Sequence, residues 1–211
     1  MKIFICGQRS FGKAVLKRLL EDGHTITGIA PPPQGRLKDK MVGLALVNGI
    51  PVVDDCDTLK PEHVPDGTEL IISAHSHWLI SKPCIDKCRY GGIGYHPSLL
   101  PRHRGRDAVR WAIHMGDAIT GGTIYTLDEK CDGGSVILQR WLFIDPSWDY
   151  HELWSKMFPQ GVDMVSEAVR LIEGGKAEYI EQDERFATWE PSWERPRLKR
   201  NGLLQIGCRD A

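Results

Sequence analysis

Short apolar runs alternate with amphipathic stretches along most of the chain. Residues 2–6 read as a strand buried on both faces, apolar without a break from Ile3 to Cys6, and residues 7–10 as a turn. Over residues 11–22, Phe11, Ala14, Val15, Leu19 and Leu20 share one helical face, with Lys13, Lys17, Arg18 and Glu21 opposite, and Gly23 stops the helix. A second strand follows at 25–30, a breaker at Pro31, Pro32 and Pro33, a helix over 37–48 ended by Gly49, and a short strand at 51–53. Strands at 70–74 and 92–95 flank a helical segment near 83–88, and residues 107–115 have a helical pattern. Residues 122–127 and 136–144 alternate as a strand pair joined through the loop carrying Asp132. A long helix over 150–173 is closed by Gly174 and Gly175.

Strands alternating with helices in this way predict an α/β fold built on a doubly wound, mostly parallel sheet, with ligands bound beyond the carboxyl ends of the strands. Residues 1–175 are expected to form one domain. Residues 176–211 lack a clear period and are expected to cross the core as an extended tail, its end from residue 195 disordered. With 211 residues, 41% of them hydrophobic, the chain has enough apolar material for one well-buried domain. Its 27 Lys and Arg against 28 Asp and Glu give no general attraction to nucleic acid or anionic membrane, so an anionic partner must be met locally. The apolar run at the N-terminus is too short for a signal peptide or membrane span, and a cytoplasmic location is expected.

The six cysteines lack disulfide-framework spacing, so reduced thiols are the default. His75, His77, Cys84 and Cys88 match no common structural zinc pattern, and no metal is expected. The chemistry concentrates in two runs. One is Gly92-Ile93-Gly94-Tyr95-His96-Pro97-Ser98-Leu99-Leu100-Pro101-Arg102-His103-Arg104-Gly105; the other runs from Leu127 through Asp132, Gly133 and Gly134 to Gln139. An imidazole at a strand end and a carboxylate in a later loop are suited to moving protons around a carbonyl carbon, which makes His96 and Asp132 the catalytic candidates. A strand histidine is also a common packed core residue, so it is the joint pattern that singles out His96. The turn Gly7 to Gly12 is neither a dinucleotide fingerprint nor a phosphate loop. It reads either as a plain strand-to-helix turn or as a helix N-terminus facing an anionic part of a substrate.

These two runs, with Gly121-Gly122-Thr123 between them, closely resemble the folate-dependent formyltransferases, nearest to the hydrolase domain of 10-formyltetrahydrofolate dehydrogenase and to methionyl-tRNA formyltransferase. The resemblance is strong from Gly92 to Arg140 and implies a Rossmann-like sheet with 10-formyltetrahydrofolate as formyl donor. By that likeness, His96 stabilises the tetrahedral intermediate and shares in proton transfer, while Asp132 tunes it and positions a water. His77, Trp78, Leu79 and Ile80 are expected to hold the pterin, closed on the other side by Lys130, Cys131 and Asp132. Ser10, Phe11 and Gly12 border the acceptor. Arg102 and Arg104, with Arg106, either meet a glutamate tail or acceptor phosphate or form a solvated basic loop.

One departure concerns Gly94, where the transferases carry an asparagine that donates to the formyl oxygen; the dehydrogenase's hydrolase domain also lacks it. Losing such a donor typically costs about 10²–10³ in rate unless it is replaced, and His75 and His77 are candidate replacements. The leading expectation is transfer to an amine on a small molecule, such as an amino sugar nucleotide. The alternatives are hydrolysis to formate and a folate-binding protein of weak activity. The expected partners are thus a small-molecule acceptor or water, with no tRNA domain and no membrane, a homodimer being left open.

Overall fold

A computed structural model describes residues 1–33, 39–53, 59–76 and 79–193. In chain order the elements are β1 (Lys2–Gly7), α1 (Arg9–Glu21), β2 (Thr25–Ala30), α2 (Lys40–Val47), β3 (Leu70–Ala74), α3 (Lys82–Asp86), β4 (Gly92–His96), β5 (Arg104–Gly105), α4 (Ala108–His114), β6 (Ile119–Thr126), β7 (Val136–Phe143), α5 (Tyr150–Glu173) and β8 (Trp189–Glu190). One six-stranded sheet runs β2-β1-β3-β4-β6-β7. Its first four strands are parallel, and β6 and β7 join antiparallel on the β4 side. The doubly wound, mostly parallel sheet expected from the strand–helix rhythm is therefore the fold.

The uniform apolarity of β1 follows from burial on both faces. Ile3 and Ile5 join the larger core with α1 residues Phe11, Val15 and Leu19 and α5 residues Met164, Val165 and Ala168, whereas Phe4 and Cys6 point into the opposite core with Ile71, Cys84 and Cys88. The long helix α5 is set by a capping box in which the Asp149 carboxylate accepts from the His151 and Glu152 N–H groups and Glu152 accepts from the Asp149 N–H. Among the described residues no helix is long and apolar enough to cross a membrane.

The differences from the sequence reading lie at short elements. The strand expected at 51–53 reduces to one bridge between Val52 and Ile29, and the helix expected from residue 37 begins at Lys40, with 37 and 38 outside the described residues. The two-residue strands β5 and β8 pair in a separate small sheet and are too short to carry a periodicity. The stretch from 176 to 193 lies against the core: Ile180 exchanges both backbone hydrogen bonds with Val136, and β8 pairs with β5. The end of the tail expected to be disordered lies outside the described residues.

Candidate active site

The β4–β6 register sets the site. Gly94 stands opposite Tyr125 and His96 opposite Thr123, so all four share one face of the sheet, while Tyr95 and Ile124 point into the α1–α5 core. His96 ends β4, the last parallel strand, at its carboxyl edge. The loop that follows is tied down by Thr123, whose hydroxyl donates to the Ser98 carbonyl and accepts from the Leu100 N–H. His96 is 6% exposed, and its Nε2 lies 2.6 Å from the His103 carbonyl oxygen. A carbonyl can only accept, so Nε2 carries the ring proton and donates it. The basic nitrogen is then Nδ1, which faces Asp132 Oδ2 at 3.6 Å.

Asp132 is brought there by the connection between β6 and β7. Its own φ is +52°, in the left-handed region. Gly134 packs so closely on β6 that an added Cβ would fall 1.8 Å from the Thr126 carbonyl oxygen. The carboxylate is almost fully committed: Oδ1 accepts from the Tyr125 hydroxyl at 2.6 Å and Oδ2 from the Gly105 N–H at 2.8 Å. The Gln182 side-chain amide donates to the Asp132 and Gly134 carbonyls and so braces the turn from the tail. Burial alone would raise the Asp132 carboxyl. His96, the Tyr125 hydroxyl, the Gly105 N–H and the Cys131 thiol together outweigh it and hold the group below the ordinary aspartate range. The result is a fixed carboxylate beside an imidazole of fixed tautomer, a pair that can accept a proton at Nδ1 and stabilise the imidazolium formed.

Two further histidines frame this pair. His75, at the end of β3, has a φ of +58° and stacks on Phe11 at 4.5 Å and on Trp154 at 5.0 Å. Burial, with smaller contributions from His96 and Arg9, pushes its imidazole down to about 4, so it is neutral at neutral pH. His103 is buried with Nε2 2.7 Å from Asp117 Oδ2 and Nδ1 2.9 Å from Glu190 Oε1. Burial opposes the charge on His103, but Glu190 and Asp117 prevail and raise its pKa. Its backbone carbonyl is the one that fixes His96, so this ion cluster anchors the acceptor for Nε2.

The remaining residues singled out from the sequence divide by position. Leu79 is exposed and Ile80 buried; with Ser81, Lys82 and Pro83 they face Asp128 and Glu129 across a cavity of about 260 Å³, next to Lys130 and Cys131. His77 and Trp78 lie outside the described residues. Another cavity, about 280 Å³ between Arg110, His114, Tyr150 and Trp193, is lined by none of the residues around His96 and Asp132. Phe11 and Gly12 are buried in α1, and the exposed Ser10 hydroxyl accepts from Lys40. The anion at the start of α1 is the chain's own: the Asp39 carboxylate accepts from the Arg9 N–H at 2.7 Å and the Met41 N–H at 2.8 Å. Arg102 pairs with Asp117 at the surface. Arg104 fits neither the expected contact with a glutamate tail or acceptor phosphate nor the expected solvated loop, because its guanidinium turns inward, 2% exposed, and donates to Gln182 and Glu184. It acts as a strut for the tail. Among the described residues no group of three or more His, Cys, Asp or Glu is placed to hold a metal ion. Tyr125, Gln182 and the His103 carbonyl were not singled out from the sequence; Tyr125 becomes visible only once the strand register pairs it with Gly94.

A family model described as formyl transferase matches residues 58–169. The chain is 34% identical over 212 residues to the cytosolic 10-formyltetrahydrofolate dehydrogenase of Xenopus laevis, covering 95% of this chain and 24% of that protein. It is 31% identical over 210 residues to the methionyl-tRNA formyltransferase of Acidobacterium capsulatum, covering 90% and 65% respectively. The chain thus spans about a quarter of the length of the dehydrogenases it matches. Among solved structures, an N-formyltransferase from Helicobacter canadensis, in complex with folinic acid and dTDP-3-aminofucose, superposes with a TM-score of 0.76 at 17% identity, over 92% of this chain and 71% of that one.

Proposed function

The chain belongs to the formyl transferase family, and we propose that it removes the formyl group of 10-formyltetrahydrofolate at His96 and Asp132 and passes it to water, releasing formate. The observation that carries this reading is the 3.6 Å approach of His96 Nδ1 to an Asp132 carboxylate fixed by Tyr125 and Gly105. Bound 10-formyltetrahydrofolate supplies the reaction with a one-carbon unit on its N10 nitrogen. His96 takes a proton at Nδ1 from the attacking water and returns it to the departing nitrogen; Asp132 balances the imidazolium in between. The cavity between Leu79–Pro83 and Asp128–Glu129 suits the pterin, since Leu79, Ile80 and Pro83 offer an apolar wall and the two acidic residues offer acceptors for its N–H edge.

Two features favour water over a larger acceptor. Gly94 has no side chain with which to donate to the formyl oxygen, and the start of α1, where an anionic acceptor group would be met, is filled by the Asp39 carboxylate. A second reading, transfer to the amine of a small organic molecule, is favoured by the half-buried aromatic surface of His75 and Trp154 beside the pair, which suits a flat ring. The experiment that separates the two is absorbance-monitored formation of tetrahydrofolate, with and without a panel of amines, for wild type and His96→Ala. Turnover without an amine that disappears in His96→Ala supports hydrolysis. Turnover only with one amine supports transfer instead, and tight folate binding without turnover refutes both.

A further inference from the structure

We infer that Tyr125 is a positioning residue, its hydroxyl fixing the Asp132 carboxylate against His96, and that position 94 is glycine so that Tyr125 can reach it. The inference rests on the reading of His96 and Asp132 as the reacting pair. Gly94 and Tyr125 are direct cross-strand partners on the face that carries His96. A Cβ added at position 94 would stand 2.9 Å from Cε1 and Cζ of Tyr125 and 3.0 Å from its hydroxyl, closer than real Cβ contacts come. The ring has little freedom to yield, since it is 7% exposed and its far end is held by Asp132 Oδ1 at 2.6 Å.

The two carboxylate oxygens therefore have separate tasks. Oδ1 is held by Tyr125, and Oδ2, bonded to the Gly105 N–H, is the one facing His96 Nδ1. Without the phenol, Oδ1 loses its anchor and the carboxylate is held on the Oδ2 side alone, by the Gly105 N–H, so its setting against the imidazole loosens. The ionisable groups facing Asp132 are His96 from β4, Tyr125 from β6 and Cys131 from its own turn, and Asp128 also bears on Tyr125. Burial, reinforced by Asp132, raises the phenol well above its ordinary range, so it remains a donor throughout the pH range in which an imidazole works.

Tyr125→Phe keeps the ring and deletes only the hydroxyl. The expected result is a roughly tenfold lower kcat at unchanged KM. Gly94→Ala in the wild-type background should produce the same loss by displacing the ring. In the Tyr125→Phe background it should add little, because the bond it breaks is already gone, so the double-mutant cycle is non-additive. A titration of ¹³C-labelled aspartate carboxyls by NMR gives a readout independent of turnover: Asp132 should ionise at higher pH in Tyr125→Phe and in Gly94→Ala than in wild type. Wild-type kcat and an unmoved Asp132 titration in folded Tyr125→Phe would overturn the inference, as would additive losses in the cycle. If wild type fails to act on 10-formyltetrahydrofolate at all, the functional reading is what fails, and the NMR titration still decides the role of Tyr125.

Discussion

Asp132→Asn isolates the charge of the candidate pair while nearly preserving its shape. For unit charges 3.6 Å apart, Coulomb's law at an effective dielectric constant of about 20 gives roughly 4–5 kcal/mol. The residual amide dipole and reorientation of neighbouring groups reduce the net loss to about 3–4 kcal/mol of electrostatic stabilisation in the transition state, which corresponds to about 10²–10³ in kcat. The packing is expected to survive, because the Asn oxygen can accept from the Gly105 N–H and the Tyr125 hydroxyl can turn to accept from the amide. The pH profile gives an independent sign. In wild type, Asp132 is held ionised to below the ordinary aspartate range, so the charge that the substitution removes is present throughout the assayed range. In the Asn variant the charge is absent at every pH, so the loss in kcat should persist across that range. The assay is steady-state release of tetrahydrofolate from 10-formyltetrahydrofolate between pH 4 and 9, with thermal melts as the control for folding. A kcat within about threefold of wild type in a variant of unchanged Tm would refute the electrostatic role assigned to Asp132.

Two further substitutions test the frame of the site. His75→Phe should flatten the acid dependence of stability. The folded His75 is lowered from 6.5 to about 4, so the unfolded chain binds its proton first and stability falls as pH drops through that interval, by at most roughly 3 kcal/mol. Urea melts at pH 7 and pH 4.5 measure this, and an unchanged pH dependence in the variant would exclude His75 as its source. Gly134→Ala should destabilise the fold by about 1–3 kcal/mol or more through overpacking, since its Cβ would meet the Thr126 carbonyl at 1.8 Å. Thermal melting reads this directly, and a Tm equal to wild type would mean that the turn holding Asp132 tolerates a side chain.

Local patterns that repeat over a whole element were legible in the sequence. The run at β1 is apolar on both faces, so it announced a buried strand; the 3.6-residue stripe of α1, and the close of α5 at Gly174 and Gly175, announced their helices. His96 and Asp132 stood out because their flanking residues have a strong pattern of their own. What the sequence alone did not reveal depends on contacts between distant segments. The β4–β6 register puts Tyr125 over Gly94, and a shift of one residue would have turned Tyr125 to the opposite face. Arg104 read, with Arg102 and Arg106, as a charge for a substrate anion or as part of a solvated loop, yet tertiary packing buries it because Gln182 and Glu184 arrive from some 80 positions away to accept its hydrogen bonds. His103 likewise became a buried ion partner only when the tail brought Glu190 against it. The sequence by itself determined the longer elements and singled out the two candidate groups, because hydrophobic periodicity and short motifs are properties of neighbouring residues. Only the tertiary structure decided which nitrogen of His96 is basic and what fixes Asp132, because those depend on hydrogen bonds formed across strands and from the tail.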